Sequence, residues 1–282
     1  MAIHSKPLSI RLIAQKLSMF KKNLSFFVFV SFVCFSCQTK VTSDSEEPLK
    51  QREFSELFEK ILDAHGGIEE WDKYSYLEYK IDRGSGVETH RVDIKSRKGR
   101  IDKEGRFSLG FDGENIWVAP ERDSFPGSSP RFTHNLHFYF FAIPFVLADP
   151  GVNYENGGEV IIRDKSYVIL KATFDEGVGD APDDQYLLYV DPNTFLIDFI
   201  NYSVTYYDKS RATQYNALDY SFGDFGSLKL TTDYTGYRWE NGDFGDRRYS
   251  ASFSDLKLLP EVPDPSIFEA PAGAWLEPNE SE

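Results

Sequence analysis

From Tyr74 to Leu259 the sequence reads as short β runs divided by turn residues, interrupted once by a long aromatic block, Pro130 to Ala148. This pairing constrains the fold more than any other feature. Alternating Tyr, Ile and Val at Tyr74, Tyr76, Leu77, Tyr79 and Ile81 mark one strand, and Val87, Val92 and Ile94 mark the next. A further strand precedes Phe107–Phe111, which an Asp112-Gly113 pair joins to Ile116–Val118 as a hairpin. Seven more runs fall at 159–164, 166–174, 185–191, 195–207, 212–222, 227–239 and 247–259, parted by Asp164-Lys165, Asp191-Pro192-Asn193, Gly223–Gly226 and Asn241–Gly245. About eleven strands with mostly short connections predict an antiparallel sheet in a mainly β (α+β) fold.

Within the interruption, Ser129 and Pro130 suit an N-cap and the first helical position. Phe132, Leu136, Tyr139, Phe140 and Ile143 recur at helical spacing until Pro144 breaks the pattern. The segment is apolar on nearly every side, so it belongs inside the domain. An earlier amphipathic helix, Leu49 to His65, places Phe54, Leu57, Phe58, Ile61 and Leu62 on one face and stops at Gly66–Gly67. His65 ends it, where an imidazolium would meet the helix dipole favourably.

The stretch 19–37, MFKKNLSFFVFVSFVCFSC, has Lys21 and Lys22 ahead of an apolar run from Leu24 to Phe35, then Ser36 and Cys37. A basic start and a short apolar core form a secretory signal, too short for the ~20 residues that span a bilayer. A cysteine at the cut point resembles a lipoprotein signal, although Cys34 and Phe35 stand where such signals carry Leu or Val and a small residue. The expected organisation is a signal over 1–36 with Met19 as the true start, and Cys37 as the acylated N-terminus. A flexible tether over 37–48 follows, then one domain over 49–272 and a tail over 273–282. The tail segment from residue 260 is rich in Pro and Glu, and is expected to lie extended or fray. Asp44–Glu47 lie some distance from Cys37, which favours an outer-membrane lipoprotein facing the periplasm.

The chain has 45 acidic against 31 basic side chains, a net charge of −14. Residues 1–36 hold five cations and no acid, so their removal makes the remainder more acidic still. Such a surface repels phosphate backbones and anionic headgroups, which argues against nucleic acid and against docking through basic patches. The membrane partner is reached through the N-terminal lipid instead. Both cysteines, Cys34 and Cys37, lie in the signal, so the domain has no disulfide and no thiolate metal site. With 24 Phe and 16 Tyr, its rings supply the core.

Three patterns carry a resemblance. Ala64-His65-Gly66-Gly67 closes a helix, with Trp71 before the first strand. Phe111-Asp112-Gly113-Glu114-Asn115-Ile116-Trp117-Val118-Ala119-Pro120 is a strand–turn–strand unit with a central tryptophan. Tyr189-Val190-Asp191-Pro192-Asn193-Thr194 leads into a long strand, with a closing Phe268-Glu269-Ala270-Pro271. In order and spacing, over most of residues 50–272, the chain resembles an uncharacterised Gram-negative envelope lipoprotein family similar to the LolA/LolB-like lipoprotein carriers. The resemblance implies a strongly curved antiparallel half-barrel around a helix plug, with an apolar cavity between them. No functional residue of the carriers maps onto this chain.

Two readings of the aromatic block stay open. It lines a pocket for an acyl chain or a lipidated partner, with Trp117, Phe132, Leu136, Tyr139, Phe140, Phe141, Ile143 and Phe145 as candidate wall residues. Alternatively it fills the barrel as closed core, leaving a scaffold subunit of an envelope complex. A less favoured third reading is a hydrolase built on His134, His137 and Asp149, with His90 nearby, but HxxH without a placed Glu is a weak metal signal. The acids of 174–184, FDEGVGDAPDD, do not match a calcium loop. The chain has neither a Walker motif nor a GxSxG elbow. The expectation is a binding protein with no enzymatic activity, cofactor or metal.

Overall fold

The computed structural model describes residues 54–278. The signal, Cys37, the tether and the first residues of the expected N-terminal helix lie outside the described residues. The described part of that helix, α1 (Glu56–Ala64), starts where the Ser55 hydroxyl accepts the Phe58 N–H. Phe58, Ile61 and Leu62 are buried, as the spacing predicts. Gly66 takes φ +106°, and a Cβ there would stand 2.2 Å from the Ser227 carbonyl oxygen, so both the turn and the close approach require glycine. A single turn, α2 (Ile68–Trp71), then leads into the sheet.

Strands β1 (Tyr76–Asp82), β2 (Val87–Asp93), β3 (Gly99–Lys103), β4 (Phe107–Phe111) and β5 (Ile116–Ala119) form an antiparallel meander. Helix α3 (Pro130–Phe141) and a short 3-10 turn (Phe145–Ala148) follow. A second meander comprises β6 (Val152–Ile162), β7 (Lys165–Phe174), β8 (Tyr186–Val190), β9 (Ile197–Tyr202), β10 (Asn216–Phe225), β11 (Leu228–Glu240) and β12 (Asp243–Leu259). Strand β12 returns to pair with β1 and joins the two halves. With a last short strand, β13 (Trp275–Leu276), the described strands make one antiparallel sheet, ordered β13-β5-β4-β3-β2-β1-β12-β11-β10-β9-β8-β7-β6. Its edges, β13 and β6, do not meet, so the barrel stays open. This is the mainly β half-barrel expected, with thirteen strands rather than about eleven.

The added edge strand is β13 (Trp275–Leu276), which pairs with β5. Two residues carry no periodicity, so the pattern could not mark it. Just before it, Phe268 is buried and its carbonyl accepts the Trp117 indole N–H at 2.9 Å. Gly110 makes room for that indole, since a Cβ would stand 2.3 Å from the ring. The C-terminal segment is thus tied to the sheet rather than frayed.

α1, α3 and the 3-10 turn pack together into one face of the sheet. Ser129 caps α3, its hydroxyl accepting the Phe132 N–H at 3.1 Å, and Pro130 takes the first helical position. Pro144 disfavours further helix in the preceding residues. The carbonyls left without helical partners at this end are met by the sheet: Tyr220 of β10 donates to Phe140 and Thr231 of β11 donates to Phe141. Trp71 stacks on Phe145 at 4.8 Å, and Tyr79 stacks between His90 and Phe141.

His65 departs from the dipole expectation. It is fully buried, and its Nδ1–H donates to the Ile61 carbonyl at 2.8 Å. Burial lowers its pKa to about 4, against the opposing pull of that carbonyl, so the ring is neutral at pH 7. Phe141 is buried in the core, packed on Tyr79 and Phe253. Phe141→Ala is expected to lower the unfolding free energy by about 3–5 kcal/mol, measured by denaturant titration.

Candidate functional site

Phe132, Leu136 and Phe140 recur every four residues and form one stripe along α3. Unlike the rings behind them, these three line a cavity of about 460 Å³, within the usual range for small-molecule sites. Tyr202 of β9 and Tyr249 of β12 form the facing wall, their hydroxyls hydrogen-bonded at 2.7 Å. Val204, Tyr207 and Arg211 come from the connection between β9 and β10, and Arg83 and Ser85 from the β1–β2 turn. Tyr206 and Tyr207 hold that connection over the start of α3, their rings 5.2 and 5.3 Å from Phe132. Their hydroxyls meet Ser129 and Ser128.

The other sequence candidates lie elsewhere. Tyr139 lines a smaller cavity of about 140 Å³ on the neighbouring side of α3, with Phe174, Tyr186 and Tyr206; Phe132 and Leu136 contribute to it too. Phe141, Ile143 and Phe145 are packed in the core and line neither cavity. Trp117 is sealed beneath Phe268, away from both. The helical period placed all of these on one buried helix or near it. It could not tell which side the sheet would leave unfilled.

His137 sits on the chamber wall, buried, with Nδ1 sharing a 2.7 Å hydrogen bond with the Tyr234 hydroxyl. Burial holds its pKa well below the ordinary value, and the nearby charge of Arg83 acts the same way. His134 shares a hydrogen bond with the Arg131 carbonyl and another with Asn135, while Asp149 pairs with Arg97. The three groups of the hydrolase reading therefore have separate partners. Among the described residues no cluster of three or more His, Cys, Asp or Glu is placed to hold a metal ion. In the 174–184 loop, Asp184 accepts the backbone N–H and hydroxyl of Thr205 at 2.6 and 2.8 Å, and Asp183 pairs with Lys209. These acids fasten the β9–β10 connection.

Behind the wall lies a charged cluster that periodicity did not mark. Glu88 points inward from β2 and accepts two hydrogen bonds from Arg83, at 2.9 and 3.0 Å. Lys103 donates to the same carboxylate at 3.3 Å, and His90 stands 3.6 Å away. Burial alone would raise the Glu88 pKa. The adjacent imidazole and the charges of Arg83 and Lys103 outweigh it and hold the pKa at about 2. Because this lies below the ordinary 4.5, the stabilisation is complete above pH 4.5 and is lost as pH falls from there through 2. In urea melts across that range, Glu88→Gln should flatten the pH dependence and cost about 3 kcal/mol at pH 7, where it leaves Arg83 and Lys103 without their counter-charge.

The residues that sequence reasoning missed are the arginines and the β-strand tyrosines of the wall. Tyr202 and Tyr249 carry no local sign beyond strand alternation. Arg211 and Arg248 stand out only as cations in an acidic chain.

Residues 131–220 match the model of a family of unknown function, DUF6503. That span runs from α3 into β10 and so includes the helical wall of the chamber. No curated protein matches the chain. Solved structures similar to it include a DUF1329 family protein from Desulfovibrio piger, 15% identical, covering 76% of this chain and 98% of that one, with a TM-score of 0.46. A LolA superfamily protein from Nitrosomonas europaea is 14% identical over 74% of this chain and 96% of its own, with a TM-score of 0.43. The lipoprotein LppX of Mycobacterium tuberculosis is 13% identical over 71% and 94%, with a TM-score of 0.22.

Proposed function

We propose that this chain is a lipid-anchored envelope protein of the periplasmic side that binds an acyl chain, free or on a lipidated partner, in the chamber beside α3. The observation that carries the reading is the stripe of Phe132, Leu136 and Phe140 lining about 460 Å³ of space, with Phe140 also packed on Tyr202 and Tyr234. A helix that served only as a plug would leave no space beside Phe132 and Leu136, which are only partly buried. Large apolar side chains left on a concave wall gain by burying a hydrocarbon ligand. The reading is binding rather than catalysis, because His134, His137 and Asp149 serve separate contacts.

Titration with a fluorescent fatty-acid probe tests it. Wild-type protein should bind the probe. Leu136→Trp, which adds volume at the chamber wall, should weaken binding at least about tenfold, a loss of roughly 1.4 kcal/mol. The same variant should melt close to wild type, since the added ring projects into open space. A wild-type protein that binds no probe, together with a Phe140→Ala variant as unstable as Phe141→Ala, would leave the closed-core scaffold.

The anchor rests on Lys21, Lys22, the apolar run and Cys37. Cys37→Ser should abolish fatty-acid labelling and move the protein from the membrane to the soluble fraction. A tether of this kind gains ~0.8 kcal/mol per buried CH2. Labelling that persists in the variant would exclude Cys37 as the site.

A further inference from the structure

The chamber wall has a charge opposite to that of the chain. Acidic residues outnumber basic ones 45 to 31 overall, yet the wall includes Arg83, Arg211 and Arg248 and no carboxylate. Arg83 is neutralised by Glu88. Among the described residues, neither Arg211 nor Arg248 makes a direct ion pair. Arg248 donates to the Asn216 side-chain oxygen at 3.0 Å. Asp208, the acid nearest Arg211 in sequence, accepts from the Ser210 N–H and hydroxyl, at 3.0 and 2.7 Å, and these bonds, with a lesser contribution from the charge of Arg211, lower its pKa.

These two arginines occupy a junction. A second cavity of about 440 Å³ adjoins the chamber and shares Arg211, Asn216 and Arg248 with it. Its other walls are mainly polar, with Thr213, Gln214, Arg238 and one carboxylate, Glu240, which stands 3.8 Å from Arg238. An aromatic chamber therefore meets a polar one at a pair of guanidinium groups. The chamber wall also carries His137, whose buried Nε2 has no hydrogen-bond partner among the described residues.

We propose that the occupant is an amphiphile with an anionic head group, its hydrocarbon chain along Phe132, Leu136 and Phe140 and its carboxylate or phosphate held by Arg211 and Arg248. The inference rests on the binding function above and adds the head-group chemistry. Guanidinium forks match carboxylate and phosphate oxygens in geometry as well as charge. Cations at the mouth of a low-dielectric cleft also raise the local concentration of anions, which the rest of this acidic surface would repel.

Calorimetric titration of the full chain with oleate, oleyl alcohol and inorganic phosphate, each below its aggregation limit, tests it. Oleate should bind at least about tenfold more tightly than oleyl alcohol, the scale expected of one charge-assisted contact. Both arginines are exposed, and the Arg211→Gln/Arg248→Gln double variant should keep the wild-type melting temperature. In it, the affinities for oleate and oleyl alcohol should come within about twofold of each other. Arg211→Lys/Arg248→Lys, which keeps the charge and loses the fork, should retain part of the preference. Equal affinities in the wild type, or a preference that survives the double glutamine variant, would overturn the head-group assignment and leave the acyl chamber standing. Phosphate binding as tightly as oleate would overturn it in favour of a free-anion site. Failure of both amphiphiles to bind would overturn the binding function itself.

Discussion

Everything in this domain depends on one demand: an open antiparallel sheet cannot cover its own concave face. The described strands run from edge β13 to edge β6 without closing. Side chains on the inner face would meet water unless another element filled the space. α3 is that element. Its buried rings supply apolar area, and the sheet answers its unpaired end carbonyls through Tyr220 and Thr231. Helix and sheet are therefore joined by hydrogen bonds as well as by packing, which fixes the helix axially as hydrophobic contact alone would not.

The chamber follows from an imperfect fit between a straight helix and a curved sheet. Phe138 and Phe141 lie in the core, while Phe132 and Leu136 face open space and Phe140 closes its inner end against Tyr202. The connection between β9 and β10 then sets the chamber's remaining boundary. It is held by the Tyr206–Tyr207–Phe132 ring cluster and by Asp184 on Thr205. The acidic 174–184 loop thus contributes to the site indirectly, as a fastening for one of its walls.

The histidines show how burial decides chemistry. In the sequence His90 and His137 look available for acid–base work, and His65 looks placed to meet a helix dipole as a cation. Within the fold each lies among aromatic rings, and desolvation favours the neutral imidazole in all three. Glu88 shows the opposite outcome. Two cations and an imidazole surround it closely enough to keep a buried carboxylate ionised.

By itself the sequence determined the sheet and the helix inside it, because strand alternation, Asp-Gly and Asp-Pro turns, the Ser129–Pro130 start and the Pro144 stop are local signals. It also determined that α3 is buried, since its rings leave no face for water. It located Phe132, Leu136 and Phe140 as wall candidates but could not separate them from Phe141, Ile143, Phe145 and Trp117, because spacing reports which face a residue occupies and not whether the opposing surface reaches it. Tertiary structure alone decided that Phe268 and β13 would seal Trp117 and that Glu88 would neutralise Arg83 behind the wall. It alone brought Arg211 and Arg248, 37 positions apart in the numbering, to one junction. These are contacts between distant strands and loops, and their geometry is set by sheet curvature and register, which no local pattern of residues encodes.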